Sequence, residues 1–291
     1  INTWAGYAHA YIAQEKGYFE KNGARVELVF FKDYASSRQC YIDGEAEGVF
    51  EVYADAILQN SEGIPSRVVY AVDYSVSADV IIGKPELNDL SDLRGKKVGI
   101  EGINTFSHLF VLMSLEKSGL KEQEMRFEIV PALDVPEALE KGIIEAGHTW
   151  EPAKTEAIKK GYKVLSDAQY LQCLITDVLV FSDQVIKQRP QEIKGIIKAL
   201  FEAREFLRNN RQEAVRIMAK YEGMSEAEME EGLGGVELLD LKGNIKAMHK
   251  SADISSLYVS GEIIANFYLA RGQLPYMPDL DKIIDSKFIK E

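Results

Sequence analysis

The chain has 291 residues, 46% of them apolar and 27% charged, which is too long for one small domain and enough to fill the cores of two. Its formal charge of −12 and pI near 5.0 exclude the basic face a nucleic-acid binder needs. Arg94, Lys96 and Lys97, the densest basic cluster, read as a solvated turn, and no apolar run approaches the ~18 residues of a membrane span.

The sequence opens inside a pattern, at Ile1-Asn2-Thr3-Trp4 without an initiator Met, so an export signal or other N-terminal segment is expected to precede it. Short β-branched runs at 25–31, 48–50, 67–72, 80–82, 97–100, 126–130 and 163–165 then alternate with helical stretches. These helices fall near 9–16, 36–42, 54–59, 106–117, 135–141 and 152–159, and the alternation predicts a parallel sheet covered by helices. Gly17, Gly44, Gly119, Gly142 and Gly161 follow such helices, where a left-handed stop is expected. After a strand at 177–181 the chain reads as nearly all helix. Ile193, Ile196, Ile197, Leu200, Phe201 and Leu207 share one face, Pro190 suits a first turn, and helices follow at 212–221, 225–232 and 254–270.

Two βα halves and a helical C-terminal tail predict an α/β protein with one lobe inserted into the other. Lobe I takes residues 1–78 and 176–291 and lobe II takes 79–175. Two crossing strands near 73–82 and 176–181 form the hinge. Ligands of open α/β sheets sit beyond the carboxyl ends of strands, and two facing lobes make a cleft there.

Five segments carry a resemblance. They are Trp4-Ala5-Gly6-Tyr7 leading into Tyr11-Ile12-Ala13-Gln14-Glu15-Lys16-Gly17-Tyr18-Phe19, the crossing segment from Val72 to Asp79, and the lobe II entry from Leu90 to Glu101. The others are Asn104-Thr105-Phe106-Ser107-His108 and His148-Thr149-Trp150-Glu151-Pro152. In order and spacing they resemble the nitrate/sulfonate/taurine class of periplasmic solute-binding proteins, which also covers pyrimidine-precursor binders. The resemblance implies a two-lobe binding protein of type II that catalyses nothing and needs no cofactor. It also implies a monomer, periplasmic or extracellular and membrane-anchored, with a small solute and an ATP-driven (ABC) permease as partners and no nucleic acid. Ala5-Gly6 and Val76-Ser77 stand where this class varies with substrate, so the solute's identity does not carry over. The ligand-sensing domain of a membrane receptor kinase would use the same cleft and stays open. The pyrimidine synthase of thiamin biosynthesis shares the fold but carries a cysteine-rich iron motif that this chain lacks.

The candidate site follows from residue chemistry placed by that resemblance. A helix starting after Asn104 offers free N–H groups and the hydroxyls of Thr105 and Ser107 to an anionic or carbonyl-like group; the alternative is that Asn104 or Thr105 caps its own helix. Trp150 offers an apolar wall and one N–H. Glu151 beside it pairs with a ligand ammonium or simply favours its helix start. Trp4 and Tyr7 flank a small-residue turn, and Tyr34, Ser36 and Ser37 sit on the second βα turn. Ser75 lies in the crossing segment.

Glu51, Asp73, Asp79, Glu101, Glu151 and Asp177 fall at strand ends or crossings. Two of them in one desolvated cleft would disfavour sulfate or nitrate by several kcal/mol and favour a cationic or zwitterionic nitrogen compound held between Trp4 and Trp150. The other reading is that these acids cap helices or face water. His108 and His148 approach the cleft, but no metal spacing or nucleophile elbow accompanies the four histidines, which read as structural. Cys40 and Cys173 form neither a metal nor a disulfide framework and read as buried free thiols.

Overall fold

The computed structural model describes residues 1–171 and 173–289. Nine strands run in chain order as β1 (Gly48–Val52), β2 (Arg67–Ser75), β3 (Val80–Gly83), β4 (Lys97–Ile100), β5 (Arg126–Ile129), β6 (Ala146–Thr149), β7 (Lys163–Asp167), β8 (Thr176–Phe181) and β9 (Val236–Leu238). They form two sheets, ordered β1-β8-β2-β9 and β5-β4-β6-β3-β7. Each sheet carries its own helices, giving two α/β lobes. The connection from β2 to β3 and the return into β8 run side by side: Ser75 N–H donates to Ile175 O and Ala168 N–H to Asp79 O.

The strands are not simply parallel, as the alternation predicts. β4 is parallel to β5 and β6, but β8 runs antiparallel between β1 and β2. β3 likewise runs antiparallel between β6 and β7. β8 and β3 are the strands reached by crossing from the other lobe, and β9 adds a short antiparallel edge to β2. Two chains crossing side by side in opposite senses make this arrangement; the crossing strands are legible in the sequence, but their antiparallel sense is not. β2 and β8 lie in the interior of their sheet, and all their residues are buried except half-buried Arg67. That explains why their sequences are continuous apolar runs broken only by Asp73 and Asp177.

Two further differences concern edges. Residues 25–31 are extended but meet only the segment Ile1-Asn2, through one bridge between Asn2 and Phe31, so no strand forms. β9 is three residues long, below the length at which alternation can be read. The helix Pro190–Asn209 does follow its stripe: Ile193, Ile197, Leu200 and Leu207 are buried and Ile196 and Phe201 half-buried at its margin. It packs on the helix His9–Glu15. Cys40 and Cys173 are free thiols, half-buried rather than buried.

Candidate ligand-binding site

Strand geometry delivers the acids. The register places Asp73 of β2 directly opposite Asp177 of β8, so neighbouring strands bring two carboxyls face to face at the lobe boundary. The crossing connection delivers Asp79, whose N–H donates to Ser75 Oγ at 3.2 Å. The turn after Asn2 brings in Trp4 and Tyr7. It depends on Gly6, where a Cβ would lie 1.9 Å from Asp73 Oδ2; any other residue would push the turn off β2. From lobe II, β6 ends in His148 and Thr149, and Trp150 follows directly. His148 and Trp150 are two apart along the chain, which puts them on one face.

The lobes are closed on one another. Trp4 meets Trp150 edge-on, with ring centroids 6.0 Å apart and planes at 86°, and Trp150 Nε1 donates to Thr3 O at 3.0 Å. Between the lobes lies a cavity of about 10 Å³, lined by Asn2, Trp4, Tyr7, Tyr34, Val52, Asp79, Phe106, Trp150 and Asp177, which is roughly the size of one water. No lysine or arginine is among the lining residues. A larger cavity, about 590 Å³, lies on the flank of lobe I against residues 25–29 and β1. Its carboxylates, on Glu27, Glu45, Glu47 and Glu192, are not buried. Chemistry rather than volume therefore points to the interlobe cavity.

The acids there are short of partners. Asp73 Oδ1, Asp79 Oδ2 and Asp177 Oδ2 are buried without a hydrogen-bond donor. Burial raises the Asp73 carboxyl to about 7, although Trp4 Nε1, donating to Oδ2 at 3.3 Å, pulls the other way. Asp177 is held well above the usual range by burial and by the adjacent charge of Asp73. The two carboxyls face one another and titrate as a pair, both held above the ordinary carboxylate range by burial and by neighbouring carboxylate charge. Tyr7 donates to Asp177 Oδ1, and burial holds its own phenol protonated. Asp79 Oδ2 has no such relief.

Asp79 is positioned by a relay. Glu101 N–H donates to Ser107 Oγ at 3.0 Å, Ser107 Oγ lies 2.8 Å from His148 Nδ1, and His148 Nε2 lies 2.8 Å from Asp79 Oδ1. In the tautomer that carries its proton on Nε2, the ring donates to Asp79 and Nδ1 accepts from the Ser107 hydroxyl, whose oxygen also accepts from Glu101 N–H. A nucleophilic serine faces Nε2 with a free hydroxyl. Here Ser107 sits on the other nitrogen, fully buried, and its proton is committed. The three residues hold a carboxylate in place.

Of the residues the sequence nominates, Trp4, Tyr7, Tyr34, Asp79, Trp150 and Asp177 line the cavity, with Asp73 adjoining through Trp4 and Asp177. Six others go elsewhere. Glu51 is tied to Arg38 Nε at 3.2 Å and Gln59 Nε2 at 2.8 Å. Ser37 lines the flank cavity of lobe I, and Ser75 is used by the Asp79 backbone. Asn104 adopts a left-handed φ of 63° and bonds Gln273. Thr105 turns its hydroxyl to Gly102 O at 2.8 Å and leaves its helix uncapped. Glu151 accepts from Thr155 N–H at 3.1 Å, serving its own helix start. Among the other nominated residues, Glu101 accepts from Ala132 N–H, and Ser36 lies on the exposed side of its turn. Sequence reasoning missed Asn2, Val52 and Phe106 as lining residues, and Ser107 and His148 as the support of Asp79.

Two α/β lobes, joined by side-by-side crossing chains and closed over a polar cavity, define the periplasmic-binding-protein fold. The alkanesulfonate-binding protein of Xanthomonas axonopodis pv. citri, solved bound to MOPS, superposes with a TM-score of 0.81 over 98% of this chain and 97% of that one, at 16% identity. Residues 4–214 match the NMT1/THI5-like family, and the chain belongs to it. A candidate binding protein of Brucella abortus is 22% identical over 235 residues, 79% of this chain and 72% of its own. A 4-amino-5-hydroxymethyl-2-methylpyrimidine phosphate synthase of Saccharomyces cerevisiae is 20% identical over 213 residues, 68% of this chain and 62% of its own. The family thus resembles both binders and an enzyme, and the residues of the cavity have to separate them.

Proposed function

We propose that this protein binds a small amine-bearing solute, cationic or zwitterionic, between its lobes and delivers it outside the cytoplasm to an ATP-driven importer. The observation that carries the ligand class is Asp79: a buried carboxylate held by His148, with one oxygen unpartnered in a cavity without a basic residue. A buried anion left so costs several kcal/mol, and an ammonium supplies both the missing charge and the missing donor. Trp4, Trp150, Tyr7 and Phe106 supply aromatic walls suited to a cation. A sulfonate finds neither a cation nor a spare donor among these groups.

The same groups support binding over catalysis. The Ser107 hydroxyl is committed, and no cluster of three or more metal-ligating side chains occurs among the described residues. No described helix is long and apolar enough to cross a membrane. Closure would move residues 79–175 against 1–78 and 176–291, with the solute separating the two indoles. Contacts from both lobes then shift the equilibrium toward the closed state.

The test is calorimetry against a panel of primary amines, betaines, amino acids and aminopyrimidines, beside nitrate and sulfate. Mass spectrometry of co-purifying small molecules guides the choice of panel. Micromolar binding of a nitrogen cation is expected. Tight binding of nitrate or sulfate with no response to any amine would overturn the reading.

A further inference from the structure

Asp55 is completely buried but does not line the cavity. It is the third residue of the helix Tyr53–Ser61 in lobe I, and from there it reaches across to lobe II. Its Oδ1 accepts from the N–H of Phe106 at 2.9 Å, the first residue of the helix Phe106–Lys117. Its Oδ2 accepts from the Tyr34 hydroxyl at 2.7 Å and lies 3.6 Å from Arg38 Nη1. The first bond of the lobe II helix runs from Leu109 N–H to Thr105 O, so the N–H groups of Phe106, Ser107 and His108 lie ahead of its ladder. Such a helix start attracts anions. One guanidinium, one phenol and the starts of two helices thus converge on a single carboxylate.

We infer that Asp55 is a built-in anion, plugging the helix start that faces the cleft and so excluding anionic solutes. This makes it the specificity-determining residue of the site, and the inference rests on the amine reading for what the site accepts instead. Tyr34 and Phe106 line the cavity and bond the plug directly, so a solute anion seeking these donors must displace a carboxylate already satisfied. It would also have to enter beside Asp79 and Asp177. The plug bonds across the lobe boundary as well, where it favours closure without a solute anion.

Calorimetry with sulfate and methanesulfonate on wild type, Asp55→Ala and Asp55→Ala with Arg38→Gln tests this. Wild type is expected to give no saturable binding. Asp55→Ala is expected to bind at least one of the two anions roughly 10-fold or more tighter than wild type, and adding Arg38→Gln removes the gain. Equal anion affinity in wild type and Asp55→Ala overturns the inference. If alanine does not fold, Asp55→Ser carries the same comparison. Wild type also tests it directly: saturable thermal stabilisation by millimolar methanesulfonate that equimolar chloride does not give overturns it. The two readings fail separately. Gain of sulfate by Asp55→Ala with no amine bound by wild type keeps the plug and removes the amine, and amine binding by wild type with no gain in the variant does the reverse.

Discussion

Two acidic clusters lie within the same closed cleft region, and they are equally dry. Asp55 is 0% exposed, and Asp73, Asp79 and Asp177 are 0%, 1% and 2%. They differ in how their valences are met. Asp55 has a donor on each oxygen and a guanidinium nearby, as does Glu51 through Arg38 and Gln59. The trio has an unpartnered oxygen on every member and no basic residue in the cavity. Burial alone therefore does not mark a binding carboxylate. A buried acid with its donors in place holds the structure together, whereas one with an open valence is poised to hold a ligand.

If that contrast is right, variants in the two clusters behave differently. The largest effect is expected for Asp79→Asn, which keeps the shape but removes the charge that a solute ammonium meets. Amine affinity should fall by roughly 30-fold or more, the range for losing one partner of a buried charge pair, as read by calorimetry. A value near wild type would detach Asp79 from the ligand. Trp150→Ala comes next, with a loss of about 10-fold, since it removes the lobe II wall and the bond to Thr3 O; unchanged affinity would place the solute elsewhere.

The pH dependence is smaller and its sign is fixed. Asp73 sits at about 7 in the folded chain against an ordinary 3.8, so between pH 4 and 7 the folded state holds a proton that the unfolded state has lost. Stability therefore falls as pH rises through that window, and the full penalty is present above 7. Glu51 and Glu101, both raised to about 7 by burial, act in the same sense. The ligand-free protein should melt at a higher temperature at pH 5 than at pH 8, and Asp73→Asn should shrink the difference. Amine binding should move the opposite way, tightening a few-fold from pH 6 to 8 as Asp73 gains charge. The smallest effect on binding is expected for Glu51→Gln, within about two-fold, although melting should show the loss of Arg38's partner. A large loss of amine affinity there would erase the distinction between the clusters.

The amino-acid sequence by itself determined most of the elements and the two-lobe architecture, because apolar periodicity and glycine stops act over a few residues; the run 25–31, β9 and the short helices Asp183–Gln188 and Leu241–Met248 escaped it. It also brought out Asp73 and Asp177 as acids at strand crossings, and Trp4 and Trp150 through the resemblance of the segments that carry them. Which acids would be satisfied was decided only by the tertiary structure. Glu51 and Asp73 look alike in sequence, each a carboxylate inside an apolar strand, yet one meets Arg38 and the other meets Asp177. Asp55 passed unnoticed and His148, read as structural near the cleft, was not joined to Asp79, because their partners lie 51 and 69 residues away. Hydrogen bonds and Coulomb forces depend on distance through space, and that distance was set by strand register and lobe closure, which local pattern does not encode.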